Sequence, residues 1–164
     1  MKPSKNLNYL EEITTDNINE LWENVFEGKE NDEYINRYVP HPVPGKWELE
    51  QFIMNKRNCS VWMIKRVKEK DIIGFVIHGN FWPGTPNNIG LNIGLRYSGK
   101  GYGTEAIESL INYLRNSGYK ETFGLCFEEN SAIRNIMEKN GFENLGRTGN
   151  NSRGFNEVKY RLVL

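Results

Sequence analysis

The run Gly99-Lys100-Gly101-Tyr102-Gly103 joins two segments of different period, and that junction limits the fold more than any other feature of the sequence. Before it, "NNIGLNIGLRY" (87–97) alternates as a strand does. After it, Ile107, Leu110, Ile111 and Leu114 recur on one face of a helix that Gly118 ends. A strand that turns through glycines into a helix gathers unpaired backbone N–H groups and the positive end of the helix dipole at one point, which favours an anion. Glycines at 99, 101 and 103 let a diphosphate approach the backbone, and Lys100 adds a screened positive charge.

Two familiar phosphate loops do not fit. Gly94, Gly99 and Lys100 fall on the G-x-x-x-x-G-K spacing of a triphosphate loop, but Gly101 stands where a magnesium-binding Ser or Thr is needed. A dinucleotide fold needs G-x-G-x-x-G and an acid about 20 residues on, where this chain has Phe123. A glycine-rich turn that binds nothing remains the alternative.

Around this junction the pattern is mixed. Ile18, Leu21, Trp22, Val25 and Phe26 predict a first helix between Thr15 or Asp16 and Gly28; Pro40, Pro42 and Pro44 predict extended loop over 29–45; "KWELEQFIMNKR" predicts a short second helix. "CSVWMIKRVK" and "DIIGFVIHGNF" predict an antiparallel hairpin. "KETFGLCFE" reads as a strand, "NSAIRNIMEKNGF" as a helix capped by Asn130 or Ser131 and stopped at Gly141, and the end as a strand pair around "GNNSRG".

Composition narrows the class. A chain of 164 residues, 38% hydrophobic, buries one core and is too short for two ordinary domains. Lys plus Arg and Asp plus Glu both number 21, so net charge gives no general attraction to nucleic acid or anionic lipid. The absence of a long apolar run argues against a membrane span and for a cytoplasmic protein. Cys59 and Cys126 lack any C-x-x-C partner, which predicts two buried reduced thiols and no zinc site.

The loop Ser98-Gly99-Lys100-Gly101-Tyr102-Gly103, followed by Asn130 and, after "AIRNIMEK", by Gly141-Phe142, resembles the GNAT superfamily of acyl-CoA-dependent N-acyltransferases. That family's pyrophosphate loop reads Arg/Gln-x-x-Gly-x-Gly/Ala, and its second motif is an Asn before a helix ending in Gly-Phe. "GKGYGTEAI", "YVPHPVPGKWELEQFI" and "RGFNEVKYRLVL" are similar to the branch containing the ribosomal-protein N-terminal acetyltransferases. The resemblance spans nearly the whole chain. It implies one N-acetyltransferase domain over residues 1–164: an α/β fold with a mainly antiparallel twisted sheet, flanking helices and a splayed parallel strand pair that holds acetyl-CoA.

It also implies acetyl-CoA as cosubstrate without a metal, and direct transfer to a primary amine, on a protein or peptide N-terminus or a small molecule, by a monomer or homodimer. The backbone of Ile93, Gly94 and Leu95 would hold the pantetheine; Ser98, Gly99, Lys100, Gly101, Tyr102, Gly103 and Thr104 the pyrophosphate; Asn130 the cofactor arm. Ser98 departs from the usual Arg or Gln, and Met137 from the Tyr that protonates the thiolate in many relatives. Asn88 and Asn92 stand where some relatives place a Glu, which leaves His78 as a candidate base beside Asn92. Tyr34, Arg37, Tyr38, His41 and Trp82 are candidates for the acceptor mouth, with Glu30, Asp32 and Glu33 favouring a cation; Glu105 suits the helix dipole. The departures motivate the alternative of a catalytically weak CoA-binding sensor or interaction module.

Overall fold

Apolar alternation in the middle of the chain builds a seven-stranded sheet in the computed structural model, which describes residues 7–38, 45–55, 58–82, 84–150 and 154–164. The strands are β1 (Asn8–Glu12), β2 (Cys59–Arg66), β3 (Ile72–Gly79), β4 (Asn88–Ile93), β5 (Glu121–Phe127), β6 (Glu143–Asn150) and β7 (Asn156–Val163), in the spatial order β1-β2-β3-β4-β5-β7-β6. Every neighbouring pair is antiparallel except β4 and β5. The helices are α1 (Ile18–Leu21), α2 (Lys29–Tyr38), α3 (Lys46–Met54), α4 (Tyr102–Asn116) and α5 (Ser131–Lys139). The expected hairpin, the capped α5 and the terminal strand pair are all present, and among the described residues no helix is long and apolar enough to cross a membrane.

The sheet buries both faces of its centre, which is why β3 is apolar almost throughout, with Ile72, Ile73, Val76 and Ile77 all buried. One face packs on α4 and α5. Ala106, Ile107, Leu110, Ile111 and Leu114 of α4 meet Ile64, Ile73, Val76 and Ile89 there, joined by Cys126, Met137, Val158, Tyr160 and Leu162. Each fully buried aliphatic side chain of this set contributes about 1.5–3 kcal/mol. The other face carries Val61, Met63, Ile72 and Ile77 beneath Leu21, Val25, Phe26, Ile35, Leu49 and Ile53.

Three expectations need correction. The first helix is a succession of a 3₁₀ turn (Thr15–Asn17), α1 and a π turn (Trp22–Phe26) closed by Glu27 N–H donating to the Trp22 carbonyl at 2.9 Å. The loop expected over 29–45 contains α2, because prolines at 40, 42 and 44 restrict only themselves and the residues just before them; residues 39–44 lie outside the described set. Of the two thiols, both free, Cys126 is buried and Cys59 only half-buried.

Candidate active site

Strands β4 and β5 are hydrogen-bonded in register only at Asn88↔Phe123 and Ile89↔Gly124. Beyond that rung β4 stays with β3 as far as Ile93↔Gly74, and β5 stays with β7 as far as Phe127↔Glu157. The sheet therefore opens a gap between Gly90–Ile93 and Leu125–Phe127. Met137 lies over the last paired rung: a Cβ on Gly124 would stand 2.9 Å from its methyl carbon, and Met137 is 2% exposed. The position that departs from the family's Tyr is thus a core position here.

The open end of the gap runs straight into the glycine loop. Leu95–Tyr97 forms a 3₁₀ turn, exposed Ser98 and Gly99 follow, and Gly101 takes φ +89 at the N-cap of α4. Gly99 takes φ +74 with open space where a Cβ would be. Such angles suit glycine. No side chain caps α4, whose first intrahelical bond is Glu105 N–H to the Gly101 carbonyl at 3.2 Å. The N–H groups of Tyr102, Gly103 and Thr104 consequently have no partner within the helix. Gly103 is buried against Leu91, Ile93 and Ile136, which brings the helix start down onto β4 and α5. Asn140 adds a bond from its amide nitrogen to the Thr104 carbonyl at 3.4 Å.

Polar contacts hold this end rigid. Asn24 donates to the Ile72 carbonyl at 2.7 Å and accepts from Arg96 at 2.5 Å; Asn31 accepts from Leu95 N–H at 3.0 Å. Two guanidinium groups lie over the Tyr97 ring, that of Arg96 at 4.7 Å and that of Arg66 at 5.3 Å from its centroid. Arg66 makes two bonds of 2.7 Å to Asp71, which hold that carboxyl below its ordinary range, and burial raises the Tyr97 phenol. Glu105 accepts from Leu7 N–H at 2.8 Å and Asn8 N–H at 3.3 Å, so it ties β1 to the helix start in addition to any dipole effect. Exposed Lys100 donates to the Arg96 carbonyl at 2.9 Å.

The structure brings Ile93, Gly94, Leu95, Ser98, Gly99, Lys100, Gly101, Tyr102, Gly103 and Thr104 together at the open end. Asn130 stands just past the end of β5, where its amide oxygen accepts from Ile133 N–H at 3.2 Å and caps α5. Asn92 is on β4 within the gap, 9% exposed. His78 is elsewhere: it pairs with Ile89 at the closed end, its ring 4.7 Å from that of Tyr119, beside a cavity of about 390 Å³. Its Nε2 is buried without a hydrogen bond, and burial lowers its pKa. Tyr34, Arg37 and Tyr38 cluster on α2, Tyr34 ring to Tyr38 ring 5.1 Å and Arg37 over Tyr38 at 5.1 Å. Trp82 is on the β3–β4 connection beside Phe81, whose ring packs on the same apolar cluster as Tyr34. His41 lies outside the described residues. The sequence reading missed Asn24, Asn31, Arg66, Asp71 and Tyr97, whose contacts join distant segments and leave no local pattern.

Comparison with known proteins places this geometry. Residues 9–143 match the acetyltransferase (GNAT) domain family. No curated protein matches the chain by sequence. Among solved structures, the RimL ribosomal L7/L12 alpha-N-protein acetyltransferase in complex with coenzyme A superposes with TM-score 0.81 at 14% identity, over 99% of this chain and 97% of its own. The microcin C7 self-immunity acetyltransferase MccE, in complex with acetyl-CoA and AMP, gives 0.81 at 20% identity, over 98% and 94%. A GNAT-family acetyltransferase from Bacillus anthracis gives 0.80 at 17% identity, over 96% and 95%.

Proposed function

Since the chain belongs to the GNAT acetyltransferase domain family, we propose that it is an acetyl-CoA-dependent N-acetyltransferase acting directly on a primary amine, of a peptide or protein N-terminus or of a small molecule. The observation that carries this reading is the continuity of the β4–β5 gap with the uncapped start of α4. The loop fits the cosubstrate: Gly99 and Gly101 hold positive φ, and no Cβ fills the space where a pyrophosphate would approach the backbone.

Bound acetyl-CoA supplies the acetyl group as a thioester. The N–H groups of Tyr102, Gly103 and Thr104 would hold its diphosphate, and the edge of β4 that faces the gap, as far as Ile93, would lie along the pantetheine arm and offer a donor to the acyl oxygen. Asn130 fixes the start of α5 at the end of β5. His78, buried at the closed end, keeps a structural role in this reading, and Asn92 faces the acceptor.

Acetyl-CoA should raise the melting temperature far more than magnesium-ATP. At a hundred times Kd a ligand that binds only the native state adds about 2.7 kcal/mol, a shift of roughly 5 to 10 °C for a chain of this size. Thermal denaturation with each ligand checks it; a larger shift with magnesium-ATP would return the loop to a nucleotide-binding reading.

A further inference from the structure

On the face turned away from α4 and α5 the sheet is covered unevenly. Among the described residues the apolar cluster on that face draws on β2 and β3 and takes nothing from β5, β6 or β7. There β5 presents half-buried Phe123 and Leu125 and buried Phe127, which stacks on Phe155 at 4.8 Å, and β7 presents Arg161, Lys159 and Glu157 opposite them. Continuing the β4–β5 register beyond Ile89↔Gly124 sets Asn92 level with Phe127. One row of the sheet then reads Phe75, Asn92, the gap, Phe127, Glu157.

Glu157 is half-buried, and its Oε1 is buried without a hydrogen bond. A carboxylate oxygen left so is costly and calls for a partner. Among the described residues the nearby cations are committed elsewhere: Lys159 lies 4.8 Å over the Phe123 ring, Arg161 binds Glu121 at 2.7 Å, and Arg134 donates to Tyr160 at 3.1 Å. The neighbouring acids have partners too, Glu128 on Arg147 at 2.9 Å and Glu138 on the Tyr160 hydroxyl at 3.2 Å. Glu157 is near enough to β5 to help push the Cys126 thiol up to about 12, though burial is the larger cause.

The geometry points to Glu157 as the counter-ion and general base for a cationic primary amine that reaches the β4–β5 gap on this side of the sheet, an assignment that rests on the acetyl-transfer reading above. Neighbouring strands are about 4.8 Å apart, so Glu157 stands one strand beyond the β5 edge of the gap, past the buried Phe127, and acts on the amine through water. It takes one proton from the ammonium. The freed nitrogen bonds to the acyl carbon as the carbon–sulfur bond breaks, the second nitrogen-bound proton goes to the departing thiolate, and Glu157 returns its proton to solvent.

The test uses the full chain, acetyl-CoA and the fastest acceptor from a panel of tripeptides with free N-termini and small primary amines. Glu157→Gln should lose on the order of a hundredfold in kcat/KM. Its affinity for acetyl-CoA should be unchanged. The acidic limb of the pH profile should disappear, leaving a rate that climbs with the free-amine fraction. Calorimetric affinity of the CoA-loaded protein for the same amine should fall tenfold or more. A loss below tenfold, a retained limb or an unchanged amine affinity overturns the assignment. If Glu157→Gln does not fold, Glu157→Asp decides: lowered kcat with unchanged KM for acetyl-CoA supports it, and wild-type kcat overturns it. A wild type inactive on the whole panel overturns the acetyl-transfer reading and this assignment together; an active wild type beside an unaffected Glu157 variant overturns this one alone.

Discussion

Gly101→Val is expected to weaken acetyl-CoA binding by on the order of a hundredfold, while Lys100→Ala changes it by less than about fivefold. Gly101 sits at φ +89 at the mouth of α4, an angle that costs an L-residue about 1–2 kcal/mol and a β-branched one more. The valine branches would also stand in the path by which an anion reaches the helix N–H groups, so the loss comes from both strain and obstruction. Lys100 is exposed and already donates to the Arg96 carbonyl at 2.9 Å; an exposed charge of this kind contributes about 1 kcal/mol or less. Isothermal calorimetry on both variants, with a thermal melt to confirm that each is folded, makes the comparison. A folded Lys100→Ala variant that binds more weakly than Gly101→Val would contradict a cradle built from backbone.

Gly94→Ala should destabilise the fold by about 3 kcal/mol, or roughly 6 to 12 °C in melting temperature. Its Cβ would fall 2.1 Å from the Asn24 carbonyl oxygen, and that oxygen belongs to the π turn, which cannot give way as a side chain can. Gly94 N–H meanwhile donates to the Ile73 carbonyl at 2.9 Å, so the glycine cannot retreat without breaking the end of the β3–β4 pairing. Gly103→Ala is the contrast. Its Cβ would meet side-chain methyls of Ile136 at 2.8 Å, Leu91 at 3.1 Å and Ile93 at 3.3 Å, which can shift, so it should cost less than about 1.5 kcal/mol. Calorimetric or denaturant melts of the two variants check the order, and a Gly103→Ala loss larger than that of Gly94→Ala would contradict this packing.

What could be read from the sequence is what short-range pattern encodes. The α4 stripe from Ile107 to Leu114, the Gly118 stop at φ +83, the Asn130 cap and the β2–β3 hairpin follow from period, cap chemistry and turns, and each is present. The splayed β4–β5 pair came from the family resemblance, since no local pattern announces where two strands part. β1 was missed because "NYLEE" is short and becomes a strand only by pairing with Lys65 and its neighbours on β2. The helix in 29–38 was missed because the prolines beyond it were given too long a reach. Glu105 was read as a dipole partner because its contacts, Leu7 and Asn8, lie almost a hundred positions away. Glu157 drew no notice for a similar reason: its place opposite Phe127 and beyond Asn92 exists only once four strands are in register.

The most direct test of the account is release of CoA from acetyl-CoA across a panel of peptides and small amines, with the acetylated product weighed by mass spectrometry. At least one primary amine should give CoA and mono-acetylated amine in equal amounts, at a rate that Gly101→Val lowers about tenfold when acetyl-CoA stands at about ten times the wild-type KM. Tight acetyl-CoA binding with no amine-dependent CoA release from any acceptor would contradict it and make this chain a CoA-binding module.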